Sequence, residues 1–315
     1  MARGQEPVQL KFIFDLGAAA GTYYVDISQI CSMVNRKFLR QGLNWVVSNV
    51  EYWSDGNSQM TVSKLPDTWV MANAWVKSFK LWQESQDQVL DQEPSIQSMY
   101  SDFKIYFDSQ HQVLGSAANL HPFGFAVAAA GAAYDWDMST YQVPNDPVGG
   151  TTTQYNAHAI GPSTAASLGV IAGYAASRAR PNQEEPNVPT LTANPESWMM
   201  DLFDVGENLD DIRQDIEDMN DEPPYLLAAP DTIQEYYPGG TIQANTDQSF
   251  YQDILVTRSV TSLNADSTGS FLAPCGLLKF VVNHAAGPPA EQAIFLEVSP
   301  GPVKGFLAQP MQEMN

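Results

Sequence analysis

Apolar and polar positions alternate at both ends of the chain, the period of strands with one face more buried than the other. Val8, Leu10, Phe12 and Phe14 alternate with Gln9, Lys11, Ile13 and Asp15, so the chain begins in a sheet. An Ala-Gly link at 17–21 leads to a second extended piece, Tyr23 to Val25. From Ile27 the period changes. On a wheel at about 100° per residue Ile27, Val34 and Phe38 share one side, flanked by Ile30 and Cys31, while Arg36 and Arg40 point the opposite way. Lys37 lies at the edge of the polar face. The spacing predicts an amphipathic helix capped by Asp26 or Ser28, with Gly42 ending it in a left-handed conformation. Leu43 to Trp53 then reads as a strand, and Asp55-Gly56-Asn57 as the turn of a β-hairpin into Met60 to Ser63.

Pro66-Asp67 opens a second helix, with Trp69, Ala72, Val76, Phe79 and Trp82 at spacings of three and four as far as Val89. Five of the seven tryptophans, at 45, 53, 69, 75 and 82, fall in this hairpin and helix. They read as an aromatic core under a sheet, with a cofactor or sugar platform as the alternative. A short helix is expected from Ser95, then a strand through Phe103, Ile105 and Phe107. Residues 115–134 and 157–179 are rich in Ala, Gly and Ser and suit a tight sheet or a subunit contact better than a wide pocket. A loop is expected at 144–153 and a linker at 178–195. Asn194-Pro195 then starts a helix with Leu202, Val205, Leu209, Ile212, Ile216 and Met219 on one stripe and Asp201, Asp204, Asp211, Asp215 and Asp218 on other faces. Carboxylates near its C-terminal end oppose the macrodipole, so packing must hold it. Beyond Pro223-Pro224 the alternation returns at Ile254 and Val256, at Leu278, Phe280 and Val282, at Ile294, Leu296 and Val298, and in a short piece at 303–308. Strands at both ends with helices between them predict a mainly β, antiparallel sandwich with inserted helices rather than alternating β/α units.

Charge narrows the partners. A formal net charge of -21 and a pI near 4.3 argue against a general nucleic-acid or anionic-membrane surface and leave only local contacts with DNA or RNA. Cys31 and Cys275 are too few for a disulfide framework and read as core thiols. The first residues do not form a signal peptide, and the longest apolar run, Phe123 to Tyr134, is well short of the roughly 20 residues a bilayer requires. No membrane partner is expected.

The motifs of familiar chemistry do not occur: no phosphate-binding glycine loop, Cys-x-x-Cys, His-Glu-x-x-His or Gly-x-Ser-x-Gly. His111, His121, His158 and His284 lack ligand spacing, and Asp204, Glu207, Asp210 and Asp211 lack the alternation and central glycine of a calcium loop. The expectation is a protein that is not an enzyme and holds no cofactor, with a structural divalent cation left open.

Three stretches together, Asn35-Arg36-Lys37-Phe38-Leu39-Arg40-Gln41-Gly42-Leu43-Asn44-Trp45, Lys64-Leu65-Pro66-Asp67-Thr68-Trp69 and Asp102-Phe103-Lys104, resemble the capsid proteins of small circular, Rep-encoding single-stranded DNA viruses, particularly smacovirus-like and environmental ones. Ser299-Pro300-Gly301-Pro302-Val303-Lys304-Gly305 has the same character. The likeness covers the first third and a short stretch near the end. It implies one jelly-roll domain over 1–315, within which the unmatched, acidic and partly helical stretch 180–248 is expected as an insertion or projection. It also implies assembly with many copies of itself, inside the host cell, into an icosahedral virion shell around a single-stranded DNA genome.

The chain departs from that pattern at its start. Many such capsids carry an arginine-rich arm, whereas the first ten residues here contain only Arg3. The substitute is a patch of Arg36, Lys37 and Arg40, with Arg3, Lys77 and Lys80, contacting phosphates without reading sequence. Subunits of such charge repel, so a closed shell requires apolar seams, segregated charge or bound cations, and the acids at 196–222 are expected on the outer surface or in a cation-screened contact. The competing class is a carbohydrate-binding or glycoside-active β-sandwich, resting on exposure of Trp53, Trp75, Trp82 and Trp136.

Overall fold

The computed structural model describes residues 7–90, 95, 102–125, 136–144, 152–177, 250–257, 264–284, 287 and 289–313. The expected acidic helix, the linker before it, the acids at 196–222 and the insertion at 180–248 lie outside the described residues. So do Arg3 and most of the helix expected from Ser95.

The protein is mainly β with antiparallel sheets, and it divides into two compact units. The first takes residues 1–67, 102–138 and 248–314; the second takes 68–101 and 139–247.

In the first unit the strands come in this order: β1 (Lys11–Asp15), β2 (Gly21–Asp26), β3 (Leu43–Ser54) and β4 (Ser58–Lys64). Helix α1 (Ile27–Asn35) lies between β2 and β3, and a short helix, α3 (Ser109–Leu114), lies in the returning segment 102–138. Strands β5 to β7 belong to the second unit, and the first resumes with β8 (Phe250–Val256), β9 (Ala265–Ser267), β10 (Phe271–Ala273) and β11 (Leu277–His284). It closes with β12 (Gln292–Val298), β13 (Pro300–Gly301), β14 (Gly305–Phe306) and β15 (Ala308–Pro310). One sheet runs β1-β12-β3-β10, with β9 and β15 also on β3; the other runs β2-β11-β4-β8. Pairing is antiparallel and nested. β1 pairs with β12, β2 with β11, β3 with β9 and β10, and β4 with β8.

The alternation read from sequence explains the core. In the first sheet Phe12 faces Leu296 and Phe14 faces Ile294 across β1 and β12, and the same Leu296 and Ile294 meet Val50 and Tyr52 of β3. In the second, Phe280 stands between Tyr23 and Val62, and Val282 lies beside Met60, which in turn meets Ile254. These inner faces join in one buried apolar cluster. The odd positions left outside, Ile13 and Leu255, are exposed.

Two sequence expectations fail here. β3 and β4 are not a hairpin: they are joined by the turn at 55–57, but β3 pairs with β12 and β10 while β4 pairs with β11 and β8. Each strand carries an apolar face that must reach the same core, and crossing from sheet to sheet lets both do so. Phe103, Ile105 and Phe107 are buried but form no named strand.

The second unit holds α2 (Trp69–Leu90), β5 (Thr140–Pro144), β6 (Thr152–His158), β7 (Ser167–Gly169) and α4 (Val170–Ala176). β5 and β6 are antiparallel, and β7 joins β6 in parallel. Tyr141 is wholly buried, and its hydroxyl donates to the Ser78 carbonyl at 2.7 Å, fastening β5 to α2. The tryptophans therefore do not share one core: Trp45 is wholly buried in the first unit, while Trp75 and Trp82 are buried in the second.

Candidate nucleic-acid interface

Asp26 begins α1 as its cap, one carboxylate oxygen accepting from the amides of Ser28 at 2.9 Å and Gln29 at 3.3 Å. Ile27, Ile30 and Cys31 are buried, as the helical spacing requires. The helix stops at Asn35, well before Gly42, because Arg36 itself takes the left-handed conformation at φ 50, ψ 38. Arg36, Lys37 and Arg40 are thus not one face of a helix but parts of a loop.

That loop is pinned. Leu39 is buried, and its amide donates to the Ser32 hydroxyl oxygen at 3.0 Å. Ser28 Oγ donates to the Arg40 carbonyl at 3.2 Å, and Asn35 exchanges hydrogen bonds with the Gln9 backbone at 2.7 and 3.2 Å. With Leu39 inward, Arg36, Phe38 and Arg40 face solvent. Phe38, placed by periodicity on the apolar face, is 54% exposed.

Sequence reasoning missed one member. Lys304 donates through Nζ to the Phe38 carbonyl at 2.5 Å, and Lys37 Nζ donates to the Lys304 carbonyl at 3.2 Å. The Ser299 to Gly305 stretch stands out in the sequence, but no local signal joins it to residue 38. Lys304 also sits at positive φ, 51°, in the turn between β13 and β14. Among the described residues no carboxylate forms an ion pair with Arg36, Arg40 or Lys304.

Lys77 and Lys80 lie on α2 in the second unit. Lys77 is half-buried, which lowers its pKa, whereas Lys80 is exposed.

Gln41, next along the chain from the loop, joins a polar network around the buried Asp26. The second carboxylate oxygen of Asp26 accepts from Gln41 Nε2 and Trp136 Nε1, each at 3.0 Å. Burial outweighs these hydrogen bonds and raises the carboxyl to about 6. His111 accepts the Phe107 amide at Nδ1, 3.1 Å, so Nε2 carries the proton and donates to Asn119 Oδ1 at 2.6 Å. Asn119 donates in turn to Gln29 on α1 at 2.8 Å. Burial holds the imidazole down at about 4. Asp108 accepts from Lys279 Nζ and from the Tyr24 hydroxyl, both at 2.7 Å. These groups fasten the returning segment 102–119 to α1, β2 and β11. With both ring nitrogens engaged, His111 has no lone pair for proton abstraction.

Among the described residues no group of three or more His, Cys, Asp or Glu side chains could hold a metal ion, and no helix is long and apolar enough to cross a membrane. Trp75, Trp82 and Trp136 are buried, which leaves the sugar-platform alternative with Trp53 alone of its four residues. No family model, curated protein or solved structure matches the chain.

Proposed function

We propose that the protein is a jelly-roll capsid subunit that assembles with copies of itself into an icosahedral shell around single-stranded DNA. The observation that carries the reading is the nesting of the strands in the first unit: β1 with β12, β2 with β11, and so inward to β4 with β8. Such nesting of antiparallel strands in two packed sheets supports a jelly-roll winding, an architecture used by viral capsid and lectin domains. The capsid choice within that class rests on the resemblance at 35–45, 64–69, 102–104 and 299–305, and on a cationic loop in an otherwise acidic chain.

The full chain, purified and examined by negative-stain microscopy and sizing across a range of salt, is expected to give uniform closed shells. Salt or divalent cations should promote closure by screening the -21 charge of each subunit. A chain that stays monomeric at every salt concentration removes the reading. If shells form, replacing Arg36, Lys37 and Arg40 with Glu should lower the enclosed nucleic acid, read from the ratio of absorbance at the nucleic-acid and protein maxima, while leaving closure intact.

A further inference from the structure

We propose that the 36–40 loop with Lys304 is a stacking site for single-stranded nucleic acid, in which Phe38 takes the face of a base and Arg36, Lys37, Arg40 and Lys304 take the flanking phosphates. Four cations alone make a patch that any polyanion satisfies. The aromatic ring is what narrows the ligand.

Phe38 is not an apolar residue stranded at the rim of the core. Its neighbour Leu39 fills that role at 2% exposure, and the chain between them is fixed by the Leu39 amide on Ser32 Oγ. On the other side, Lys304 Nζ holds the Phe38 carbonyl at 2.5 Å. Phe38, 54% exposed as a residue, therefore sits on an ordered base, so little freedom is lost when a planar partner covers it. Lys304 comes from the 300–306 turn and Arg36 and Arg40 from the loop, so positive charge flanks the ring from two segments of the chain. A π face bordered by cations matches a strand whose bases are unstacked, because every base offers a face and its phosphates lie to either side. A duplex hides its base faces, and an anionic lipid surface would call for several apolar side chains in a row rather than one ring.

The inference deepens the reading above and rests on it only for the strand being DNA; the stacking chemistry suits RNA equally. The test uses the full chain before assembly, stripped of nucleic acid, with fluorescein-labelled oligothymidylate, oligouridylate, an abasic strand of equal charge and a duplex of equal length. Fluorescence anisotropy is expected to rank both base-bearing strands above the abasic strand and the duplex, with oligothymidylate above oligouridylate only if the site also favours DNA. Phe38→Ala should weaken the base-bearing strands roughly tenfold and leave the abasic strand unchanged. Arg36→Asn and Lys304→Asn, chosen because Asn tolerates positive φ, should weaken every strand and lower the salt slope by about 0.7 each. Phe38→Leu keeps an apolar side chain without a π face and should repeat the alanine result, which separates stacking from a folding defect.

The proposal is overturned if Phe38→Ala binds oligothymidylate like the wild type, if the duplex binds as tightly as the strand, or if phosphatidylserine vesicles alone are bound. Microscopy of the same preparations keeps the two readings apart. Shells that form while Phe38→Ala binds normally remove the stacking site and leave the capsid; a chain that never closes but loses tenfold with Phe38→Ala does the reverse.

Discussion

Replacing Gly276 with alanine should destabilise the first unit by roughly 3 kcal/mol, among the larger single-residue effects in this fold. Two costs add. Gly276 sits at φ +69, where an L side chain is strained by about 1–2 kcal/mol. A Cβ there would also stand 2.9 Å from Trp45 Cδ1, 3.0 Å from Trp45 Nε1 and 3.2 Å from Ile27 Cβ. Trp45 has no room to give way: it is wholly buried, donates to Ser28 Oγ at 3.2 Å and packs edge-on against Phe306 at 5.4 Å. The tight turn at 274–276 leads into β11, so displacing it disturbs the strand that pairs with both β2 and β4. Gly17→Ala is the control, with φ +60 and nothing within 4 Å of the added carbon. Urea titration should give a midpoint loss for Gly276→Ala at least twice that of Gly17→Ala. Equal losses would mean that strain alone, not contact with Trp45, sets the cost.

Positions such as Gly276 mark where the sequence stops being legible. The strands themselves were readable, because burial on one face forces alternation: Phe12 and Phe14 inward with Ile13 outward, or Leu278, Phe280 and Val282 inward, are visible without coordinates. Partners were not. Asp55-Gly56-Asn57 has hairpin composition, yet the ladder on each side of it is completed by strands far along the chain, as with Tyr52 against Ile294 and Met60 against Ile254. A turn motif constrains only its own few residues and cannot say which sheet the next strand enters.

The basic loop was legible in its residues but not in its shape. Helical periodicity carried the helix to Gly42 because Phe38 falls in phase with Ile27 and Val34. The chain instead breaks at Arg36, and Leu39, out of that phase, enters the core. What decides this is tertiary: the Ser32 hydroxyl and the Gln9 backbone reward the break with hydrogen bonds that periodicity does not count. Lys304 was invisible as a site residue for the same reason, since a contact across 266 positions leaves no local trace.

Asp26→Asn and His111→Gln should change the acid response of the protein in opposite directions. In the folded chain the Asp26 carboxyl is raised from 3.8 to about 6, so between those values the folded state holds more protons than the unfolded one. Stability from this group therefore rises as pH falls from about 6 to 3.8, by up to about 3 kcal/mol. His111 is lowered from 6.5 to about 4, so across that window the unfolded state holds more protons. Its contribution is complete above 6.5 and is lost as pH falls to about 4, by a similar amount. In the wild type the two nearly cancel over the shared interval. The amide introduced by Asp26→Asn can still cap α1 through its carbonyl, but its NH2 would face the donors of Gln41 and Trp136, so the substitution is destabilising at pH 7. Because only the wild type then gains from protonation, that penalty should grow by roughly 2 kcal/mol between pH 7 and pH 4. The penalty for His111→Gln should instead shrink over the same range, because only the wild type has an imidazole to charge. Urea unfolding of the three proteins at pH 7, 5.5 and 4 gives both differences, and differencing against the wild type removes the common effect of the remaining carboxylates. Parallel pH curves for all three would show that neither group is held away from its ordinary pKa, and the polar network joining 102–119 to α1 would then be open to water rather than sealed from it.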